Sequence, residues 1–259
     1  MKVVSIVNQK GGVGKTTTCA NLSACLALKG LRTLVIDLDP QANLTLGLLR
    51  GEWAALPYGL YAVLNHPETA PLAGIVRQVA EPPLYLAPGH MEMARCEVEL
   101  ASIPGAANHL RKALQALDRT YPMDWVLLDC PPSLGMLTQN AIVASDYLII
   151  PTEAKFYSFA GMATLNKMIA ALAREYDFEA NLLGILLTMY DSGPRLHRTI
   201  AEEIRTRFGP QMFDTVIRRN IRIAEAEVEG RPIILFDRKA RGAQNYNALA
   251  DEILKRTNK

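Results

Sequence analysis

Lys15 and Thr16 follow a glycine-rich run, Gln9-Lys10-Gly11-Gly12-Val13-Gly14-Lys15-Thr16-Thr17, whose residue types and spacing suit the binding of a phosphate chain. Glycines let the backbone bend so that successive N–H groups face one anion, and a helix that follows adds the positive end of its dipole. Lys15 supplies a point charge, and the Thr16 hydroxyl can ligate Mg²⁺. The usual pattern has glycine six residues before its lysine; here Gln9 stands there, followed by a second lysine, Lys10. A second cation beside Lys15 is costly unless another phosphate charge satisfies it, and otherwise reads as a solvated surface lysine.

Three carboxylates could complete such a site. Asp37, Asp39 and Asp129 stand at or just past the ends of apolar runs, the edge where ligands bind in open α/β sheets. Asp129 is suited to hold a water of a Mg²⁺ shell while Thr16 holds the metal directly; its alternative is a turn former before Pro131. Asp37 reads equally as a partner of the phosphate loop and as a cap. The guanine-reading pattern NKxD is missing where Thr188-Met189-Tyr190-Asp191 stands, which favours ATP over GTP. A third group is basic: Arg218, Arg219, Arg222, Arg231, Arg238, Lys239 and Arg241, with only Glu225, Glu227, Glu229 and Asp237 among them. Double-stranded DNA rewards such clustering by counterion release without base contacts. The alternative is a solvated face on which the glutamates neutralise Arg222 and Arg231.

These residues need elements to position them. Val3-Val4-Ser5-Ile6-Val7 reads as a strand buried on both faces, and Thr16 to Lys29 as a helix stopped by Gly30. Thr33 to Ile36, Trp125 to Leu128, Tyr147 to Ile150 and Leu182 to Leu187 read as further strands, separated by helical stretches such as Met162 to Glu175. The alternation implies an α/β fold with a mostly parallel, doubly wound sheet and helices on both faces. Prolines at 57, 67, 71, 82, 83, 88 and 104 cut the region between Pro57 and Pro122 into short pieces, the least diagnostic part, which reads as insertions on the same domain. Residues 1–259 therefore read as one domain, with no N-terminal DNA-binding module expected ahead of the first strand.

Composition bounds the function classes. With 259 residues, 49% of them hydrophobic, and 28 Lys and Arg against 26 Asp and Glu, the chain is a folded globule rather than a disordered or collagen-like one. The longest stretch without a charge or histidine, Cys130 to Ser145, contains two prolines, Gly135, Gln139 and Asn140, so no bilayer span is expected. The apolar run after Lys2 is too short for a secretory signal, and the four cysteines form no CxxC pair. Reduced, mostly buried thiols in a cytoplasmic protein are expected.

The motifs together resemble a known family. Lys10-Gly11-Gly12-Val13-Gly14-Lys15-Thr16-Thr17 looks like the deviant Walker A motif of the ParA/MinD class of ATPases, and Asp37-Leu38-Asp39-Pro40-Gln41 resembles its switch I. Leu127-Leu128-Asp129-Cys130-Pro131-Pro132-Ser133 resembles its Walker B and switch II segment. Arg219-Asn220-Ile221-Arg222 and Gly242-Ala243-Gln244-Asn245-Tyr246 are similar to the closing motifs of the short, ParA/Soj-type partition ATPases.

The resemblance implies a P-loop NTPase fold and an ATP- and Mg²⁺-dependent ATPase that dimerises with ATP. Lys10 would reach the neighbour's nucleotide, residues Lys10 to Thr17 would hold the phosphates, and Asp39 would orient the attacking water. Lys15, Lys10 and the metal held by Thr16 and Asp129 would offset charge on the transferring phosphoryl group. Adenine would lie near Met189 and the turn from Arg218 to Asn220, where Arg218 replaces a proline common in the family; Met189 reads equally as a core side chain. Arg218, Arg219 and Arg222 would bind DNA non-specifically, with a ParB-like partner and a nucleoid location. A MinD-like membrane role is disfavoured, because Asn247 to Lys259 offers only Leu249, Ile253 and Leu254 and no aromatic anchor. Iron-sulfur relatives need a second cysteine besides Cys130, and none stands downstream. A relative that positions a protein cargo would share the same ATPase core.

Overall fold

The apolar runs become strands that all join one sheet. The computed structural model describes residues 1–49, 58–80, 83–155, 158–179, 181–193 and 195–258. The strands are β1 (Lys2–Ile6), β2 (Thr33–Asp37), β3 (Arg77–Ala80), β4 (Leu84–Ala87), β5 (Trp125–Asp129), β6 (Tyr147–Glu153) and β7 (Asn181–Thr188). The helices are α1 (Lys15–Leu28), α2 (Asn43–Leu49), α3 (Leu60–Asn65), α4 (Cys96–Glu99), α5 (His109–Thr120), α6 (Met136–Val143), α7 (Ser158–Tyr176), α8 (Arg195–Phe208), α9 (Ile221–Val228), α10 (Ile233–Phe236) and α11 (Arg241–Thr257).

Among the described residues the sheet has seven strands in the order β3-β4-β2-β5-β1-β6-β7. All pairs are parallel except the edge pair β3 and β4. Successive residues of each central strand feed opposite layers, which is why these strands read as unbroken apolar runs. Val3, Leu34, Ile36, Val126, Leu128 and Ile150 pack with α3, α5, α6, α7 and α8. Val4, Ile6, Val35, Leu127, Ile149 and Leu186 pack with α1, α2, α9, α10 and α11.

Two features depart from the sequence pattern. The region between Pro57 and Pro122 is more than insertions, because β4 extends the sheet beyond β2 and carries buried Leu84, Leu86 and Ala87. Its four residues stand between Pro83 and Pro88, which hide the run among turn signals, and β3 is a largely exposed edge. In α11 the apolar face is already in use, with Tyr246, Leu249, Ala250 and Ile253 buried in the layer built on α1. The four cysteines are free and buried, and among the described residues no helix is long and apolar enough to cross a membrane.

The register brings the site together. Ile6 and Asp37 both pair with Asp129 across adjacent strands, so β1, β2 and β5 end at one level. The chain leaves that edge through the glycine loop, the Asp39 segment and the loop after Asp129.

Candidate nucleotide-binding site

Asn8 starts the turn out of β1. Its Nδ2 donates to Pro151 O at 2.7 Å, and its Oδ1 accepts from the Lys10 N–H at 2.9 Å. Gly12 and Gly14 then adopt positive φ, 72° and 84°, a region that side chains rarely enter. Thr188 Oγ1 lies 2.9 Å from Val13 O and 3.1 Å from Thr152 O, which ties the loop to β6 and β7. Helix α1 begins at once, with no side-chain cap and no acidic residue in its first turn. Its first N–H groups and dipole are thus left for an anion.

Lys15 is buried to 6% exposure, and its Nζ donates to Lys10 O at 3.2 Å. Among the described residues its ammonium makes no ion pair. Burial pulls its pKa down, while Asp129, Cys130 and Asp39 pull the other way. Asp129 is fully buried, and neither carboxylate oxygen has a hydrogen-bond partner of good geometry. Burial, then the Asp37 charge, push its carboxyl well above the usual range, whereas the nearby Thr16 hydroxyl and Lys15 favour the charged form. A buried carboxylate without partners, facing a hydroxyl and an ammonium, fits a hard divalent cation that takes oxygen ligands and keeps several waters.

Asp37 is occupied differently. Its Oδ2 accepts from the Thr45 N–H at 2.9 Å and the Thr45 hydroxyl at 2.7 Å, and its Oδ1 from the Asp39 N–H at 3.2 Å. It therefore caps the first turn of α2 and holds the Asp39 segment, with no bond to the glycine loop. Asp39 Oδ1 accepts from the Gln41 N–H at 3.0 Å and lines the cleft.

The cleft measures about 680 Å³, with Gly11, Lys15, Thr16, Asp39, Pro132 and Met189 on its walls. Met189 thus lies on the wall of the cleft rather than in the core. Asn220 does not line the cleft; its Oδ1 accepts from the Arg222 N–H at 2.9 Å and caps α9. Lys10 is also absent from the walls. Its Nζ lies 3.2 Å from Glu153 Oε2, which also meets Lys155 Nζ at 2.7 Å. Burial pushes the Glu153 carboxyl up, but hydrogen bonds from Lys155 and Lys10 outweigh it and hold the pKa below the usual value. Thr17 turns towards the C-terminal third, where its hydroxyl donates to Glu227 Oε1 of α9 at 2.6 Å.

The three arginines differ from one another. Arg218 Nη1 donates to Ser192 Oγ at 3.2 Å, and its guanidinium lies over the Tyr190 ring. Arg222 pairs with Glu225 and with Asp237, the latter at 3.2 Å, and covers Phe236. Arg219 is exposed, with no ion pair among the described residues. Neither Glu153 nor Glu227 is marked in the sequence as a partner of the glycine loop. No local signal marks a contact made across more than a hundred residues.

A family model described as AAA domain matches residues 1–182. The sporulation initiation inhibitor protein Soj of Bacillus subtilis is 39% identical over 252 residues, covering 97% of this chain and 98% of that protein. The chromosome partitioning protein ParA of Caulobacter vibrioides is 38% identical over 256 residues, covering 99% and 95%. Among solved structures, a cobyrinic acid a,c-diamide synthase from Mycobacterium smegmatis with bound ADP and magnesium is 30% identical with a TM-score of 0.83, covering 98% of this chain and 94% of that one.

Proposed function

The chain belongs to the ParA/Soj family of partition ATPases, and on that premise we propose that it is an ATP- and Mg²⁺-dependent dimerising switch that binds DNA without sequence preference. Residues 1–259 act as one ATPase domain. The observation that carries this reading is the division of labour between two lysines, Lys15 buried in the cleft and Lys10 outside it against Glu153. A lysine already outside its own cleft is free to serve a neighbour's nucleotide once it leaves Glu153.

In this reading residues Gly11 to Thr17 hold the phosphates, and Lys15 offsets charge on the β- and γ-phosphoryl oxygens. Thr16 and Asp129 hold the metal, which when bound neutralises phosphoryl charge as a Lewis acid. Asp39 orients the attacking water, and Met189 borders the base. Arg219, with Arg218 and Arg222 beside it, supplies phosphate contacts to duplex DNA. A dimer doubles those contacts, so ATP tightens DNA binding and steepens its salt dependence. A ParB-like partner drives the ATP state off DNA, and the protein works in the cytoplasm on the nucleoid. The buried apolar face of α11 supports DNA rather than a membrane surface as the landing site.

The test is the Lys10→Ala variant, sized by light scattering with ATP and titrated against duplexes of unrelated sequence at several salt concentrations. It should bind ATP normally, stay monomeric, turn over no ATP and lose the ATP-dependent gain in DNA affinity. A Lys10→Ala protein that still dimerises and hydrolyses normally would sink this reading.

A further inference from the structure

We infer that Glu97, on α4 and outside the cleft, is a positioning residue for ATP hydrolysis that clamps the loop following Asp129; the inference rests on the ATPase reading above. That loop, residues 130–135, runs from the end of β5 to α6 and passes the phosphate loop, where a Cβ on Gly11 would meet Pro132 Cβ at 3.9 Å. One end is fixed by the sheet at Asp129. Glu97 fixes the other, because its Oε2 accepts from the Met136 N–H at 2.5 Å and its Oε1 from Ser133 Oγ at 3.4 Å.

Helix α6 lacks a cap of its own. It starts at Gly135 with no side-chain cap and no acidic residue in its first turn, so Glu97 supplies the negative charge from another element. The clamp itself stands on firm ground, since Met93, Cys96 and Leu100 around it are fully buried. Gly135 carries the complementary signature. Its φ of −77° is open to any residue, yet a Cβ there would fall on the Glu97 carboxylate. The glycine is needed for room, not for backbone freedom. Phosphoryl transfer depends on positions held within about 0.5 Å, so freeing one end of this loop loosens Pro132 against the phosphate loop, while Asp129 stays held by the sheet.

A double-mutant cycle tests this. Glu97→Ala should lower kcat for ATP about tenfold with KM for ATP nearly unchanged, and should lower the melting temperature by only about 2–4 °C, as expected for a lost helix cap. Glu97→Gln, which keeps an acceptor, should recover part of the loss. Gly135→Ala should reproduce the Glu97→Ala defect, because its methyl displaces a flexible carboxylate, and the double variant should be no worse than either single one. Hydrogen exchange without nucleotide should show the Met136 amide opening faster in Glu97→Ala. An unchanged kcat in Glu97→Ala, or losses that multiply in the double variant, would overturn the clamp. A wild-type chain without turnover would instead overturn the ATPase reading, and the clamp would then stand or fall on exchange alone, with unchanged protection of Met136 overturning it.

Discussion

The nucleotide cleft and the arginine turn before α9 both concentrate charge, and they treat it in opposite ways. In the cleft, Lys15 and Asp129 are buried and, among the described residues, without an ion pair; Lys15 has only the Lys10 carbonyl, and the Asp129 oxygens have no hydrogen-bond partner of good geometry. On the surface, Arg222 shares two carboxylates and Arg218 rests on Ser192 and Tyr190. Leaving a buried charge without a partner costs several kcal/mol, whereas an exposed ion pair is worth ~1 kcal/mol or less. An unpaired buried charge therefore points to a ligand far more strongly than an exposed cluster does.

The sharpest way to break that contrast is Lys15→Ala. It should weaken ATP binding by about a thousandfold in calorimetry, because the phosphates lose a buried cation; a loss of only a few-fold would place the cleft and the surface on the same footing. Asp39→Ala should slow hydrolysis about a hundredfold in a phosphate-release assay and leave ATP affinity and the ATP-bound dimer intact, since only water orientation is lost. Wild-type turnover in that variant would move the role to another residue.

Burial of like charges also leaves a pH signature. Burial pushes the Asp37 carboxyl up to about 6, against hydrogen bonds from Thr45 and the Asp39 N–H that favour its charged form. A carboxyl whose folded pKa is raised stabilises the fold fully below the ordinary carboxylate range and loses that contribution as pH rises through about 6. Urea denaturation should show the wild type losing up to about 3 kcal/mol relative to Asp37→Asn between about pH 4 and about pH 7. Parallel pH profiles would remove Asp37 from the account. The smallest effects belong to the surface. Arg219→Glu should weaken duplex binding about tenfold, while Arg222→Glu should cost about threefold or less, because its charge is already shared with Glu225 and Asp237. Equal losses would show that the local pairs do not persist on DNA.

Much of the cleft was legible because its chemistry is local. The glycine spacing, Lys15 and Thr16 lie in one run, and the strands ending at Asp37 and Asp129 announce themselves as apolar stretches. The rest depends on pairings between distant segments. Glu153 on Lys10, Glu227 on Thr17, Asp237 on Arg222 and Glu97 on α6 have no sequence pattern, since each is an ordinary glutamate or aspartate until the fold brings its partner near. The short β4 escaped because prolines at 82, 83 and 88 bracket its four residues, so the run reads with its proline-cut surroundings rather than as a strand. Asn220 has a second role that the motif does not mark, since its side-chain oxygen caps α9.

The layer that covers α1 has a consequence for how the protein is made. Helix α1 occupies residues Lys15–Leu28 and α11, packed in the same layer, occupies Arg241–Thr257, and Lys2 Nζ donates to Thr257 O at 3.1 Å. On a ribosome the phosphate helix emerges early and can pack on β1, β2 and β5, but the part of its apolar surface that α11 covers stays open until that helix has been synthesised. Such late closure is slow and leaves nascent chains prone to association. Ribosome-stalled chains ending before residue 241 should hold β1, β2 and β5 together yet retain no ATP. The nucleotide layer thus matures only once α11 has been synthesised.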